Sequence, residues 1–132
     1  MINILNKLKY IWFLFIFNFL LYGFAIAGYK TTNEEVVLTG KVGVRKFFDA
    51  NNKIEKAFIL TLDTPISVAK DEFDGPVNNV TEIQLVFLSN ISDRKKYLNH
   101  EVEVKGVLFY AITAHHHIKV LMDVKTIRTL QQ

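Results

Sequence analysis

From Val36 to Val44 apolar and polar residues alternate. Val36, Leu38, Val42 and Val44 fall on one face, and Val37, Thr39 and Lys41 on the other. A period of two marks a half-buried strand. Gly40 and Gly43 inside it suggest a bend where a sheet coils. Ala57–Asp63 reads as a second strand, with Phe58, Leu60 and Leu62 together and Pro65 closing it. The stretch Thr64–Val80 keeps no clean period and holds Asp74-Gly75-Pro76 and Asn78-Asn79, so it reads as a long loop. Glu82–Leu88 is a third strand. Ser92–Leu98 reads as about two turns of helix capped by Ser92. Glu101–Tyr110 alternates most cleanly, with Val102, Val104 and Leu108 in and Glu101, Glu103 and Lys105 out. Ile118–Val124 is the fifth strand, with Ile118, Val120, Met122 and Val124 on one face.

Three strands, a short helix and two more strands are the order of a five-stranded OB-like Greek-key barrel. Glycines in the middle of the first and fourth strands, Gly40 and Gly106, suit two strands that bend at a barrel corner. The fold class is therefore all-β with one short helix. A small meander or sandwich fits the same periodicity. The domain is expected over 36–130, behind a linker at 28–35.

Residues 1–27 follow different rules. Lys7 and Lys9 precede Ile11–Phe24, fourteen residues without a charge, and Ala25-Ile26-Ala27 supplies small residues at a cleavage site. That is the pattern of a secretory signal peptide. The apolar run is shorter than the roughly 20 residues of a membrane span, although an uncleaved anchor is the alternative. The expectation is cleavage after Ala27, a periplasmic or secreted product, and no stable membrane anchor afterwards.

Composition then narrows the function. Half the residues are hydrophobic and 22% are charged, which excludes a disordered chain. There is no cysteine, hence no disulfide and no thiolate chemistry. The net charge of +3 falls to +1 without Lys7 and Lys9, so the basic stripe that nucleic-acid binding calls for is missing. No G-x-S-x-G, H-E-x-x-H or phosphate-binding glycine loop is present. The chain is read as non-catalytic, the small alternative being a metal-assisted reaction at its histidines.

The most specific motif is Gly106-x-Leu108-Phe109-x-Ala111-x-Thr113-x-His115-His116-His117. With Phe58–Val68 and Glu82–Val86, it resembles an exported bacterial domain-of-unknown-function family, numbered 4431, over roughly Val36–Ile127. The resemblance implies a soluble envelope domain without assigned chemistry. Ser67 stands where relatives often carry cysteine, Asn99-His100-Glu101 replaces a Gly-Lys turn, and Ile118 replaces a small polar residue.

His115 and His117, at i and i+2, project to one side of an extended chain and are candidate ligands for zinc or copper. Asp63, Asp123 and His100 are the available third ligands. The plainer reading is a solvated hairpin end, and a pH-responsive patch is another. Asp63 is a candidate ligand-binding carboxylate, or a turn residue bonding its own backbone. Thr113, among small residues, allows close approach of a ligand or a tight barrel closure. Arg94-Lys95-Lys96 is a basic run that reads as a solvated face, and Phe47-Phe48 reads as loop contact or core. The expected function is a binding module for an unknown small ligand, using Thr64–Val80 and Thr113–His117. Two alternatives are an envelope inhibitor or immunity protein anchored by Phe73 on a toxin or hydrolase, and a histidine-based metal-binding protein.

Overall fold

A computed structural model describes residues 28–88 and 91–131 of the chain. The signal peptide expected at 1–27 lies outside the described residues. Five strands form the domain: β1 (Glu35–Phe48), β2 (Ile54–Val68), β3 (Val77–Val86), β4 (Glu101–Tyr110) and β5 (Val120–Thr129). They close into a barrel in the order β1-β2-β3-β5-β4, with β4 returning to β1. All pairs are antiparallel except β3–β5, a parallel seam of three residue pairs. This is the OB-type arrangement the alternation predicts.

Alternation builds the core. Leu38 and Val42 of β1, Leu60 of β2, Ile83 of β3, Val102, Val104 and Leu108 of β4, and Met122 and Val124 of β5 fill the barrel. Each such side chain contributes about 1.5–3 kcal/mol when fully removed from water. Tyr110 plugs one end, its hydroxyl donating to the carbonyls of Val68 (3.1 Å) and Ala69 (2.9 Å). Tyr97 covers the other and donates to Ile127 O at 3.4 Å. The barrel interior is occupied by side chains, so a ligand must bind outside it.

The two mid-strand glycines sit at close approaches. A Cβ on Gly40 would collide with the Thr61 carbonyl, and one on Gly106 with the Asp123 carbonyl. At Gly106 the β4–β5 register also shifts by one residue, a bulge that lets the sheet coil.

Four expectations need correction. β2 does not stop at Pro65: it runs to Val68, and β3 starts at Val77, so only eight residues remain of the Thr64–Val80 loop. Pro65 is tolerated because the β2–β3 register slips between Thr61 and Ile66, where no ladder N–H is demanded of it. The two-turn helix is one 3-10 turn, Arg94–Tyr97. Its cap is Asp93 in the left-handed region (φ 54°), with no side-chain cap bond and no role for Ser92. Val44 lies on the same face as Val42 but is exposed, because β1 has left β4 behind by then. β5 starts at Val120 rather than Ile118 and runs on to Thr129. The segment before β1 is pinned rather than loose. Lys30 bridges Val68, donating to Ser67 O at 2.7 Å and accepting from Ala69 N at 2.8 Å.

Candidate functional site

The connection from Ala111 to Lys119 folds back over the outside of the barrel. Odd-numbered residues of β1 and β2 face outward, which puts Phe47, Glu55 and Ile59 on that surface, with Gln84 of β3 and Phe109 and Leu121 of β4 and β5 beside them. Gln84 is the fastening. It is a buried carboxamide whose Nε2 donates to His115 O (3.0 Å) and whose Oε1 accepts from His117 N (2.7 Å). A buried amide is tolerated when both its ends are used.

The three histidines then diverge. His117 is held, its ring stacked on Phe47 with centroids 4.4 Å apart and its Nε2 2.7 Å from Glu55 Oε2. His115 presents an open ring, 75% exposed, with Nδ1 2.5 Å from Glu55 Oε1. His116 turns the other way, edge-on to Phe109, and its Nδ1 accepts from the backbone N–H of Ile112 (3.0 Å) and of Thr113 (3.2 Å). Glu55 is thus clasped between two imidazoles. Their hydrogen bonds, His115 first, hold its carboxyl below the ordinary glutamate range.

The candidates named from sequence separate here. His115 and His117 share one carboxylate, and it is Glu55. Asp63 lies eight residues along β2, about 26 Å away at strand rise. It faces Glu101, whose carboxyl is pushed upward by burial first and by Asp63 second. Asp63 is a strand residue, not a turn residue. His100 lies in the turn before β4, where its carbonyl accepts from Val42 N. Asp123 pairs with Lys125 on β5. Thr113 closes the loop on itself, its carbonyl accepting from His116 N at 3.1 Å. Among the described residues no group of three or more His, Cys, Asp or Glu side chains is placed to hold a metal ion. One ring nitrogen of each of His115 and His117, Nδ1 and Nε2 respectively, is bonded to Glu55. Phe47 and Phe48 belong to β1, the first under His117 and the second 66% exposed.

Beside this clasp runs a shallow groove of about 410 Å³. Glu55, Phe58 and Gln84 line one side, His115 overhangs it, and Phe87 with Arg94 forms the far wall. Arg94 lies over the Phe87 ring at 5.0 Å and donates to Phe87 O at 3.3 Å. Glu55, Gln84 and Phe87 are the members sequence reasoning missed. Glu55 carried a faint signal, since it precedes the second strand in register with its outward face.

His116 makes the loop sensitive to acid. Burial first, then the neighbouring His115 and His117, lowers its pKa below that of a free imidazole. The opened loop titrates at about 6.5, so it takes up the proton before the closed loop does. The stability His116 lends is therefore present above that value and lost as pH falls through it and through the lowered one. The contribution of Glu55 persists until below about 4.5, a separate window. Amide exchange at Ile112 and Thr113, corrected for intrinsic rate, is expected to rise severalfold between pH 7.5 and 5.5 while Leu60 stays protected. His116→Ala should abolish that dependence, and an unchanged profile would contradict the role given to its Nδ1.

Fold and clasp together define the class: a small OB-type β-barrel with a histidine-bearing loop fastened across its outer face. The family model of a domain of unknown function, DUF4431, matches residues 82–128, and over that segment the chain is similar to this family. The match takes in β3, β4, the histidine loop and most of β5. It is shorter than the Val36–Ile127 span the resemblance suggested. No curated protein and no solved structure matches the chain.

Proposed function

We infer that this is an exported, non-catalytic binding module whose ligand sits in the groove between the histidine loop and the β2–β3 face. The observation that carries the reading is the groove itself. It lies where OB folds receive ligands, on the β2–β3 surface next to the β4–β5 connection. It offers a carboxylate (Glu55), an exposed imidazole (His115), a guanidinium (Arg94) and an aromatic wall (Phe87) within one concavity. A few polar groups over an apolar floor is the usual makeup of a ligand site. This moves the binding face away from Thr64–Val80, which is mostly strand and lies toward the opposite end of β2. Export follows from the leader pattern of residues 1–27. The near-neutral charge without that leader argues against nucleic acid.

The test is a small-fragment screen read by amide chemical shifts. Hits are expected to cluster on Glu55, Gln84, Phe87, Arg94 and His115, and to vanish in Arg94→Ala. Mass analysis of the protein from fractionated cells should show residues 1–27 missing from a periplasmic or secreted product. Scattered hits and an intact cytoplasmic chain would sink the reading. One observation favours the inhibitor alternative: Phe73 is 66% exposed on a turn fixed by Asp71 Oδ1, which accepts from Phe73 N (2.8 Å) and Asp74 N (3.0 Å). A rigid exposed aromatic is a typical interface anchor. Hits confined to Phe73 would favour that reading.

A further inference from the structure

β1 and β2 run past the barrel as a two-stranded arm. β4 leaves β1 at Lys41, and the last β3 partner of β2 is Leu85, opposite Phe58. Among the described residues, β2 has a neighbour on one side only from Ile54 to Ala57.

The direction of its free backbone groups follows from the ladder. Val42 exchanges bonds with Asn99 and His100, so its N–H and C=O point away from β2. Antiparallel pairs alternate, so Val42–Leu60, Val44–Phe58 and Lys46–Lys56 are all non-hydrogen-bonded pairs. Asp49 N donating to Lys53 O at 2.9 Å sets the same phase at the hairpin end. The N–H and C=O of Lys56 therefore face outward, on the side where β3 would have continued. The next residue of that ladder would be Phe87, but β3 has ended at Val86 and the Phe87 carbonyl accepts from Arg94. What faces Lys56 instead is the groove.

We propose that the free edge of β2 at Ile54–Ala57 takes an extended peptide strand from a partner protein, with an acidic residue opposite Lys56 and apolar residues two places to either side. This rests on the binding-module reading and specifies its ligand. Strand addition supplies main-chain hydrogen bonds, and the alternate side chains supply the selection. On the face concerned, Ile54 and Phe58 flank Lys56. Lys56 stands directly across from Lys46, and neither lysine has an acidic partner among the described residues. Like charges directly opposed are unfavourable, and an acidic residue on a third strand would offset the repulsion. A second copy of this chain, pairing edge to edge about Lys56, would add lysine to lysine. The charge pattern therefore opposes self-association centred on Lys56 and favours a partner of opposite sign.

The test uses the chain expressed with its own leader and purified as the cells yield it. The probes are acetyl-Thr-Val-Thr-Glu-Thr-Val-Thr-amide and the same peptide with a central lysine. The glutamate peptide should bind about fivefold more tightly. Exchange of the Lys56 amide should slow on binding. Lys56→Glu should reverse the preference and retain the fold, because it replaces a like-charge pair with an opposite one. Binding without protection of the Lys56 amide, or without reversal, would overturn the edge mode and leave the groove as a site of another kind. No binding of either peptide at millimolar concentration would overturn the proposal, while the fragment screen judges the module on its own. Protection of Lys56 that grows with protein concentration in the absence of peptide would also overturn it, in favour of a second copy.

Discussion

Gly40→Ala is expected to lower the melting temperature by roughly 10–25 °C, taking about 3 kcal/mol for a forced overpacking and 4–8 °C per kcal/mol in a domain of this size. The reason is geometric. The three atoms nearest a Cβ at Gly40 are Thr61 O, Thr61 C and Leu62 Cα, all backbone of the paired strand. A flexible side chain could step aside, but two strands held by a ladder on both edges cannot. Gly40 pairs with Leu62 on β2 and with Val102 on β4, so relief for one pairing strains the other. Gly106→Ala should act in the same direction, although Met122 Cγ is one of its contacts and can move. Gly43→Ala is the control, since nothing lies within 4 Å of a Cβ there. Thermal unfolding of the three variants decides the matter: equal losses at Gly40 and Gly43 would show that strand propensity, not close approach, sets the cost.

That contrast also shows what could be read in advance. A glycine inside a strand pattern signals a bend or a close approach, but the pattern does not say which of two glycines is pressed. β4 was legible to its ends, because both its neighbours are strands and its two faces see core and water. β1 and β2 were cut short for the opposite reason. Their last residues form an arm outside the barrel, where Val44, Phe48 and Ile54 stay exposed and period two no longer reports burial. Pro65 looked like a stop because a ladder normally requires its missing N–H, and only the register slip removes that requirement.

The site was half visible. Three adjacent histidines announce chemistry wherever they stand, but their carboxylate lies sixty residues away in sequence. Asp63 attracted the assignment by closing a strand that in fact runs on. The hairpin register places Glu55 opposite Phe47, yet nothing local says that the β4–β5 connection will cross the sheet to reach them. Gln84 was concealed more thoroughly. In alternation it occupies a polar, outward position, and it is buried only because a distant loop lies down on it.

That concealed residue carries the other large effect. Gln84→Leu keeps the volume and the apolar neighbours Ile59 and Leu121 but leaves His115 O and His117 N–H without their partner. Two unmet backbone groups beneath a covered surface cost about 1–3 kcal/mol each. The loop can avoid the cost by lifting into water, which gives up the Phe47–His117 stack and both contacts to Glu55. The expected result is a divided one. Amides from Ile112 to His117 should exchange at least tenfold faster, a factor equal to about 1.4 kcal/mol. Val104 and Leu108 in β4 should keep their protection, because the barrel closes without the loop. Gln84→Glu separates bonding from shape. It retains the acceptor for His117 N–H but puts a carboxylate against the His115 carbonyl, so it should open the loop at neutral pH and restore it once protonated. If loop and barrel instead lose protection together in Gln84→Leu, the connection is part of the core's own cooperative unit, and a clasp laid over a finished barrel is the wrong description of this face.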